Sequence, residues 1–335
     1  MRIIPITERL QQPPGWQTLL SQAISDPEVL LRELDLPLDL LPATLKADQA
    51  FRLRVPRGFV ARMRRGDRED PLLRQVLPLG EELDVVAGYC RDPLQELDAM
   101  PVPGVLHKYQ GRVLLTSTGA CAVHCRYCFR RHYPYQQANP QRQLPETLDY
   151  LRANPQISEV ILSGGDPLTL SDAKLSRLVA ALEALPHIER LRIHSRLPVV
   201  LPERVDRNLL DWLQATRLQT VLVIHCNHAN EIDPTVAAAL QQLQSTGVAL
   251  LNQSVLLRGV NDRAETLAAL SEHLFAAGVL PYYLHQLDPV QGAAHFEVKD
   301  KTAKILIKQL RNNLPGYLVP RLVKEEPGRP AKTPV

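Results

Sequence analysis

Beyond position 112, short apolar runs alternate with stretches whose apolar residues recur three and four positions apart. The runs at 113–115, 159–162, 190–194, 220–225, 249–255 and 281–285 predict strands. The stretches at 145–153, 172–185, 203–215, 234–245, 264–276 and 300–313 predict amphipathic helices. Strand and helix taken in turn make an α/β fold with a parallel sheet. Six such units are too few for a closed eightfold barrel, so the pattern predicts an open, partial (β/α)6 barrel. Residues 1–105 read as an N-terminal helical region, 106–299 as the barrel, and 300–335 as a C-terminal helix with a short closing segment.

The N-terminal region has a different texture. Asp26-Pro-Glu-Val-Leu-Leu-Arg-Glu-Leu supplies an N-cap, a proline for the first turn and helical spacing. Prolines from Pro37 to Pro103 favour short helices and connectors. A basic run, Arg52, Arg54, Arg57, Arg62, Arg64, Arg65 and Arg68, overlaps a helix predicted at 58–65. It reads as a solvated face or an internal docking surface ahead of a nucleic-acid contact.

The chain of 335 residues is 45% hydrophobic with a formal charge of +3. That is enough apolar material for one large core, and too little positive charge to argue for nucleic acid. No run approaches the roughly 18 apolar residues of a membrane span. The start, Met-Arg-Ile-Ile-Pro-Ile-Thr-Glu, lacks the apolar core of a secretory signal. A cytoplasmic, reduced protein is expected, with Cys90 and Cys226 as small buried hydrophobes.

After the first predicted barrel strand comes Cys121-Ala-Val-His-Cys125-Arg-Tyr-Cys128. Iron–sulfur cubanes are ordinarily held by four thiolates. Three thiolates leave one iron open to a substrate. A structural Cys3His zinc site using His124 is the alternative, although the paired second half of such motifs is absent. The C-x3-C-x2-C spacing resembles that of radical S-adenosylmethionine (SAM) enzymes, in which SAM chelates the open iron and one electron breaks its C–S bond.

Other polar residues close the strands, where function gathers in such folds. Gly164, Gly165 and Asp166 follow the second strand; the glycines allow close backbone approach. This segment is similar to the one that holds the SAM amino group. Ser195 and Arg196 end the third strand, His225 the fourth, and Gln253 lies on the fifth. All are expected at the cofactor site, with satisfied core polar groups as the competing reading. Lys332 lies in the tail Lys-Glu-Glu-Pro-Gly-Arg-Pro-Ala-Lys-Thr-Pro-Val. Composition alone makes this a frayed terminus; the functional reading is a Schiff-base lysine carrying pyridoxal phosphate (PLP) on a closing segment.

From about His107 onward the chain resembles the lysine 2,3-aminomutases, which combine radical SAM chemistry with PLP. The shared runs include His-Lys-Tyr-Gln-Gly-Arg, Cys-Arg-Tyr-Cys-Phe-Arg-Arg, Ser-Gly-Gly-Asp-Pro, Arg-Ile-His-Ser-Arg-Leu-Pro-Val-Val-Leu-Pro and the final Lys-Thr-Pro-Val. The resemblance implies a [4Fe–4S] cluster on Cys121, Cys125 and Cys128, and PLP on Lys332. It implies Lys108 and Arg112 near the PLP phosphate and Tyr109 against its ring. It also implies Arg130 for the substrate carboxylate, and Asp288 with Glu325 for the ε-ammonium. Glu325 stands where the family usually has Asp, and His285 where its catabolic members have Tyr. The implied reaction removes a β-hydrogen from lysine and moves its amino nitrogen from C2 to C3.

Leu53-Arg-Val-Pro-Arg-Gly-Phe and Asp70-Pro-Leu-Leu-Arg-Gln-Val-Leu-Pro resemble the branch that makes (R)-β-lysine for elongation factor P. So does a chain stopping three residues after Lys332, since catabolic members extend further with metal-binding cysteines. The partners implied are L-lysine, an elongation factor P lysine ligase that takes the product, and an external one-electron reductant of flavodoxin or ferredoxin type. No membrane or nucleic-acid partner is expected, and a homo-oligomer is left open. A free-standing aminomutase acting on lysine or another amino acid, and a non-catalytic iron–sulfur sensor, remain the alternatives.

Overall fold

In the computed structural model, residues 14–135 and 144–335 are described. Among these, nine strands form one sheet in sequential order. They are β1 (Val105–Tyr109), β2 (Arg112–Thr118), β3 (Glu159–Gly164), β4 (Arg190–Ser195), β5 (Gln219–Ile224), β6 (Ala249–Val255), β7 (Leu280–His285), β8 (Arg321–Lys324) and β9 (Thr333–Pro334). Strands β2 to β8 run parallel. An antiparallel strand closes each edge, β1 on β2 and β9 on β8. The expected open, partial barrel is present, with β8 as a seventh parallel strand beyond the six predicted.

The helices lie where the spacing puts them, for physical reasons visible in their ends. Asp233 caps Pro234–Ser245 by accepting from the Val236 amide, and Val236, Ala239, Leu240 and Leu243 form its buried stripe. The helix expected over 203–215 is split: Pro202–Arg204 is a single 3₁₀ turn, and Asp206 then caps Arg207–Ala215 through the Leu209 amide. Asp26 caps Pro27–Glu33 as read from sequence.

The N-terminal region packs into the same core as the barrel. Leu30, Phe59 and Leu72 belong to one buried cluster with Val113, Val160, Leu191 and Leu222. The helix expected at 58–65 is only Arg57–Val60. Most of the basic run is a solvated face whose arginines pair with neighbouring acids. Arg52, Arg57, Arg64, Arg65 and Arg68 pair with acids, while Arg54 and Arg62 donate to the Leu20 and Val199 carbonyls. Cys226 is buried as expected, but Cys90 is exposed: it sits on a loop pinned by its backbone to Pro289 and Gln291. Among the described residues no helix is long and apolar enough to cross a membrane.

Candidate active site

The cysteine loop leaves β2 at the carboxyl edge of the sheet, and neighbours lock it there. Thr118 O accepts from the Gly165 amide at 2.7 Å, and Ala120 O accepts from the Asp166 amide at 2.7 Å. The Gly165 backbone lies so close to the cysteine loop that an added Cβ would strike Ala120 O, and one at Gly164 (φ +116°) would lie 2.7 Å from Thr118 O. The glycines therefore let two loops touch.

From the other side the N-terminal region grips the loop. The His124 and Arg126 amides donate to Arg54 O and Gln75 O, both at 2.9 Å. Arg126, fully buried, forks onto Glu82 at 2.8 and 2.6 Å, and Arg131 reaches the same carboxylate at 2.7 Å. His124 turns its Nδ1 to Arg52 O at 2.8 Å and stacks on Phe51, and among the described residues it does not gather with the cysteines around a single ion.

Cys121, Cys125 and Cys128 line one cavity of ≈ 340 Å³. Burial pushes the Cys128 thiol up to about 11, with Cys125 adding, and raises Cys121 well above its ordinary value. Metal binding must therefore displace protons from them. Among the described residues no three or more His, Cys, Asp or Glu close on a single ion. Three separate thiols on one cavity wall suit a cluster that offers each a different iron. Arg196 donates to Cys125 Sγ at 2.7 Å while its other nitrogen binds Gln75 and Glu231.

Every residue singled out from sequence lines this same cavity: the cysteines, Lys108, Tyr109, Arg112, Arg130, Gly164, Gly165, Asp166, Ser195, Arg196, His225, Gln253, Asp288, Glu325 and Lys332. Two of them face differently from expectation. Asp166 has both oxygens filled from its own fold, by Leu168 N and Ser195 Oγ on one and by Arg196 N and Leu197 N on the other. It ties β3 to β4. Arg130 is already forked onto Glu96, at 2.6 and 2.8 Å.

The tail is ordered against the sheet, since β9 pairs with β8 and carries Lys332 to the cavity. Lys332 Nζ donates to Glu325 Oε2 at 2.7 Å, and Lys108 Nζ and the Tyr109 hydroxyl, both from β1, donate to Glu325 Oε1 at 3.1 Å. One carboxylate thus clasps the two edges of the open barrel. Burial alone would raise the Glu325 carboxyl, but Lys332 and Lys108 outweigh it and hold it well below the usual range. Arg112 covers the Tyr109 ring at 4.5 Å.

Sequence reasoning missed Glu96 as a cavity residue with chemistry, and it gave no role to the strand-end imidazoles of His194 and His285. The two imidazoles are held neutral by burial first, and each keeps a buried Nε2 with no partner among the described residues. His225, pushed down to about 3 by burial, contacts Gln253 at 3.0 Å. Orphaned nitrogens, a lysine and the cations Lys108, Arg112 and Arg192 fit a phosphorylated aldehyde with ring heteroatoms. The donor sets thus fit both an iron–sulfur cluster and PLP.

A family described as the radical SAM superfamily matches residues 115–270. The chain is 49% identical over 335 residues to an L-lysine 2,3-aminomutase of Haemophilus influenzae, covering 99% of each. It is 51% identical over 322 residues to one of Escherichia coli, covering 96% of this chain and 94% of that one. A third, of Clostridium subterminale, is 37% identical over 322 residues, covering 96% and 77%.

Proposed function

The chain belongs to the lysine 2,3-aminomutase family of radical SAM isomerases, and on that premise we propose that it converts (S)-α-lysine to (R)-β-lysine, with PLP on Lys332, for attachment to elongation factor P. The family's cofactors are a [4Fe–4S] cluster, SAM and PLP. One observation carries the reading: Lys332, near the end of the chain, opens onto the cavity that the three cysteines line, beside a cationic and an acidic wall.

When bound, the cluster with SAM supplies a carbon radical, and PLP supplies the carbonyl carbon that takes the migrating amine. The chain's own residues do the rest. Cys121, Cys125 and Cys128 would hold the cluster through three of its irons. Gly164 and Gly165 keep the adjoining loops in contact, and Asp166 fixes Ser195 and Arg196. Lys108 and Arg112 offer charge to a phosphate. Arg130 presents a planar cation to the substrate carboxylate, and Asp288 with Glu325 accept the ε-ammonium. Holding lysine at both ends restricts which hydrogen the radical can reach.

The elongation factor P role is supported by the resemblance of 53–59 and 70–78 to that branch. Those segments also have a job inside this fold, since Arg54 O and Gln75 O hold the cysteine loop. A free-standing aminomutase is therefore the second reading. The sensor reading has no use for Lys332 or the acid pair.

The test is anaerobic reconstitution with iron, sulfide, SAM, PLP, dithionite and L-lysine. β-Lysine as product, with borohydride-fixed PLP lost in Lys332→Ala, is the expected outcome. SAM cleavage without β-lysine would overturn the substrate. Adding elongation factor P and its ligase decides the role: a β-lysyl mass increase on the factor is expected, and its absence favours the free-standing enzyme.

A further inference from the structure

Glu96 lies in an acidic stretch, Gln95-Glu-Leu-Asp, that reads as solvent-exposed. In the fold it is 3% exposed. Gln95 before it adopts φ 49°, a left-handed conformation that non-glycine residues avoid and keep only where the surroundings enforce it. That strained step turns Glu96 inward from the N-terminal region to the barrel cavity.

There it occupies one edge of Arg130. Oε2 accepts from Nε at 2.6 Å and Oε1 from Nη2 at 2.8 Å. Nη1 donates to Ser163 Oγ at 3.0 Å and reaches Gly164 O only at 3.5 Å, and the rings of Phe129 and Tyr133 lie within 4.9 and 5.8 Å. A guanidinium has five N–H groups. With those to Glu96 and Ser163 committed, the described residues leave one N–H on Nη2 and one on Nη1, whose further contact is the long one to Gly164 O. Those two N–H groups are the end-on pair a carboxylate accepts.

Glu96 also holds the other wall. Its Oε1 lies 3.1 Å from Lys108 Nζ, and Lys108 in turn reaches Glu325, which holds Lys332. The chain Arg130–Glu96–Lys108–Glu325–Lys332 joins the residue read as the carboxylate anchor to the residue read as an ammonium anchor.

We propose that Glu96 is a positioning residue of the lysine site: it aims the Nη edge of Arg130 at the substrate carboxylate and, through Lys108, sets the distance from that edge to Glu325. The proposal rests on the reading of Arg130 as carboxylate anchor. Both are tested by dissociation constants of L-lysine and L-lysinamide on unreduced holoenzyme, read from PLP absorbance. The amide lacks the carboxylate and keeps the ε-ammonium.

Glu96→Gln is expected to weaken lysine roughly 10- to 100-fold while lysinamide changes by no more than about twofold. The preference for lysine thus collapses, and Glu96→Asp restores part of it. Arg130→Met is expected to abolish the preference. If Arg130→Met keeps it, the reading of Arg130 fails and the proposal with it. If Arg130→Met abolishes it and Glu96→Gln leaves it intact, or weakens both ligands equally, the proposal alone is overturned. Should Glu96→Gln not fold, Glu96→Asp decides: full cluster content with an unchanged lysine preference would overturn the proposal.

Discussion

Lys332 Nζ and Glu325 Oε2 lie 2.7 Å apart, and the contact holds the last strand against the carboxylate that also receives Lys108 and Tyr109 from the first. The barrel edges, joined by no backbone hydrogen bond among the described residues, are thereby joined by side chains. A lysine paired in this way is poised but occupied, and must exchange its partner before it can hold an aldehyde.

Glu325→Gln keeps the shape of the clasp and removes its charge. Losing charge-assisted bonds to two lysines is expected to cost about 1–3 kcal/mol, read as a lower Tm, together with a higher KM for lysine. The Glu325 carboxyl is depressed in the fold, so its contribution is fully present above the ordinary carboxylate pKa of about 4.3 and is lost only as pH falls below it. An acid-induced loss of Tm between pH 7 and about 5 that vanishes in Glu325→Gln would contradict this.

Asp288 goes the other way. Burial first, then the charge of Glu325, push its carboxyl up to about 7, with Lys332 and Lys108 pulling back. A raised acid keeps its proton in the fold after the unfolded chain has lost it. Its contribution to stability therefore falls as pH rises from about 3.9 towards 7. Binding an ammonium needs the ionised form, so the KM for lysine is expected to drop as pH rises through about 7. Asp288→Asn should remove that limb, and Asp288→Lys should end lysine turnover while dithionite-driven SAM cleavage persists. A pH profile identical in wild type and Asp288→Asn would remove Asp288 from the substrate site.

How much of this was legible depended on range. Each strand from β2 to β7 carries its own apolar run, and the cysteine and glycine motifs are local. β1, β8 and β9 were not legible: Val105–Tyr109 turns polar at His107 and Lys108, Arg321–Lys324 is short, and Thr333–Pro334 is two residues, one of them a proline. The sheet edge and the contacts of Glu325 hold them. Glu96 was hidden for the same reason: nothing local distinguishes an acid that pairs 34 residues away from one facing water. Asp166 was found by its motif, but its four bonds come from residues on the β3 and β4 loops that no spacing rule connects. Cys90 was misread because burial was inferred from residue type, and its loop lies on the surface.

The glycine pair gives a sharper test of the cluster site. A methyl at position 165 would meet Ala120 O and lie 2.8 Å from the Gly119 carbonyl carbon, both backbone of the cysteine loop. The loop must shift for Gly165→Ala to fold, at a cost of about 1–3 kcal/mol. Iron and sulfide content after anaerobic reconstitution should fall well below wild type. Gly316→Ala, where nothing lies within 4 Å and φ, as at Gly165, is not positive, controls for the loss of a glycine itself. Equal cluster content in Gly165→Ala and wild type would mean that the two loops need no contact.

Glu82 tests whether the N-terminal region serves the cluster. Its carboxylate, 1% exposed in the side chain, takes Arg126 and Arg131 from either side of Cys128. Replacing a buried ion group wholesale with apolar residues can be harmless, whereas removing one member leaves the others charged and unpaired, at about 3–5 kcal/mol. Glu82→Ala strands two guanidiniums, so it should lower Tm more than Glu69→Ala, whose pairing with Arg74 is at the surface. If the region only adds bulk to the core, Glu82→Ala should lose stability and still take up a full cluster once folded at low temperature. If it holds the loop, cluster uptake should fall even in the folded fraction, because Arg126 and Arg131 flank Cys128 and move with it. Cluster content per folded molecule, from iron analysis beside circular dichroism, separates the two, and the pairing of both arginines on one oxygen favours the second.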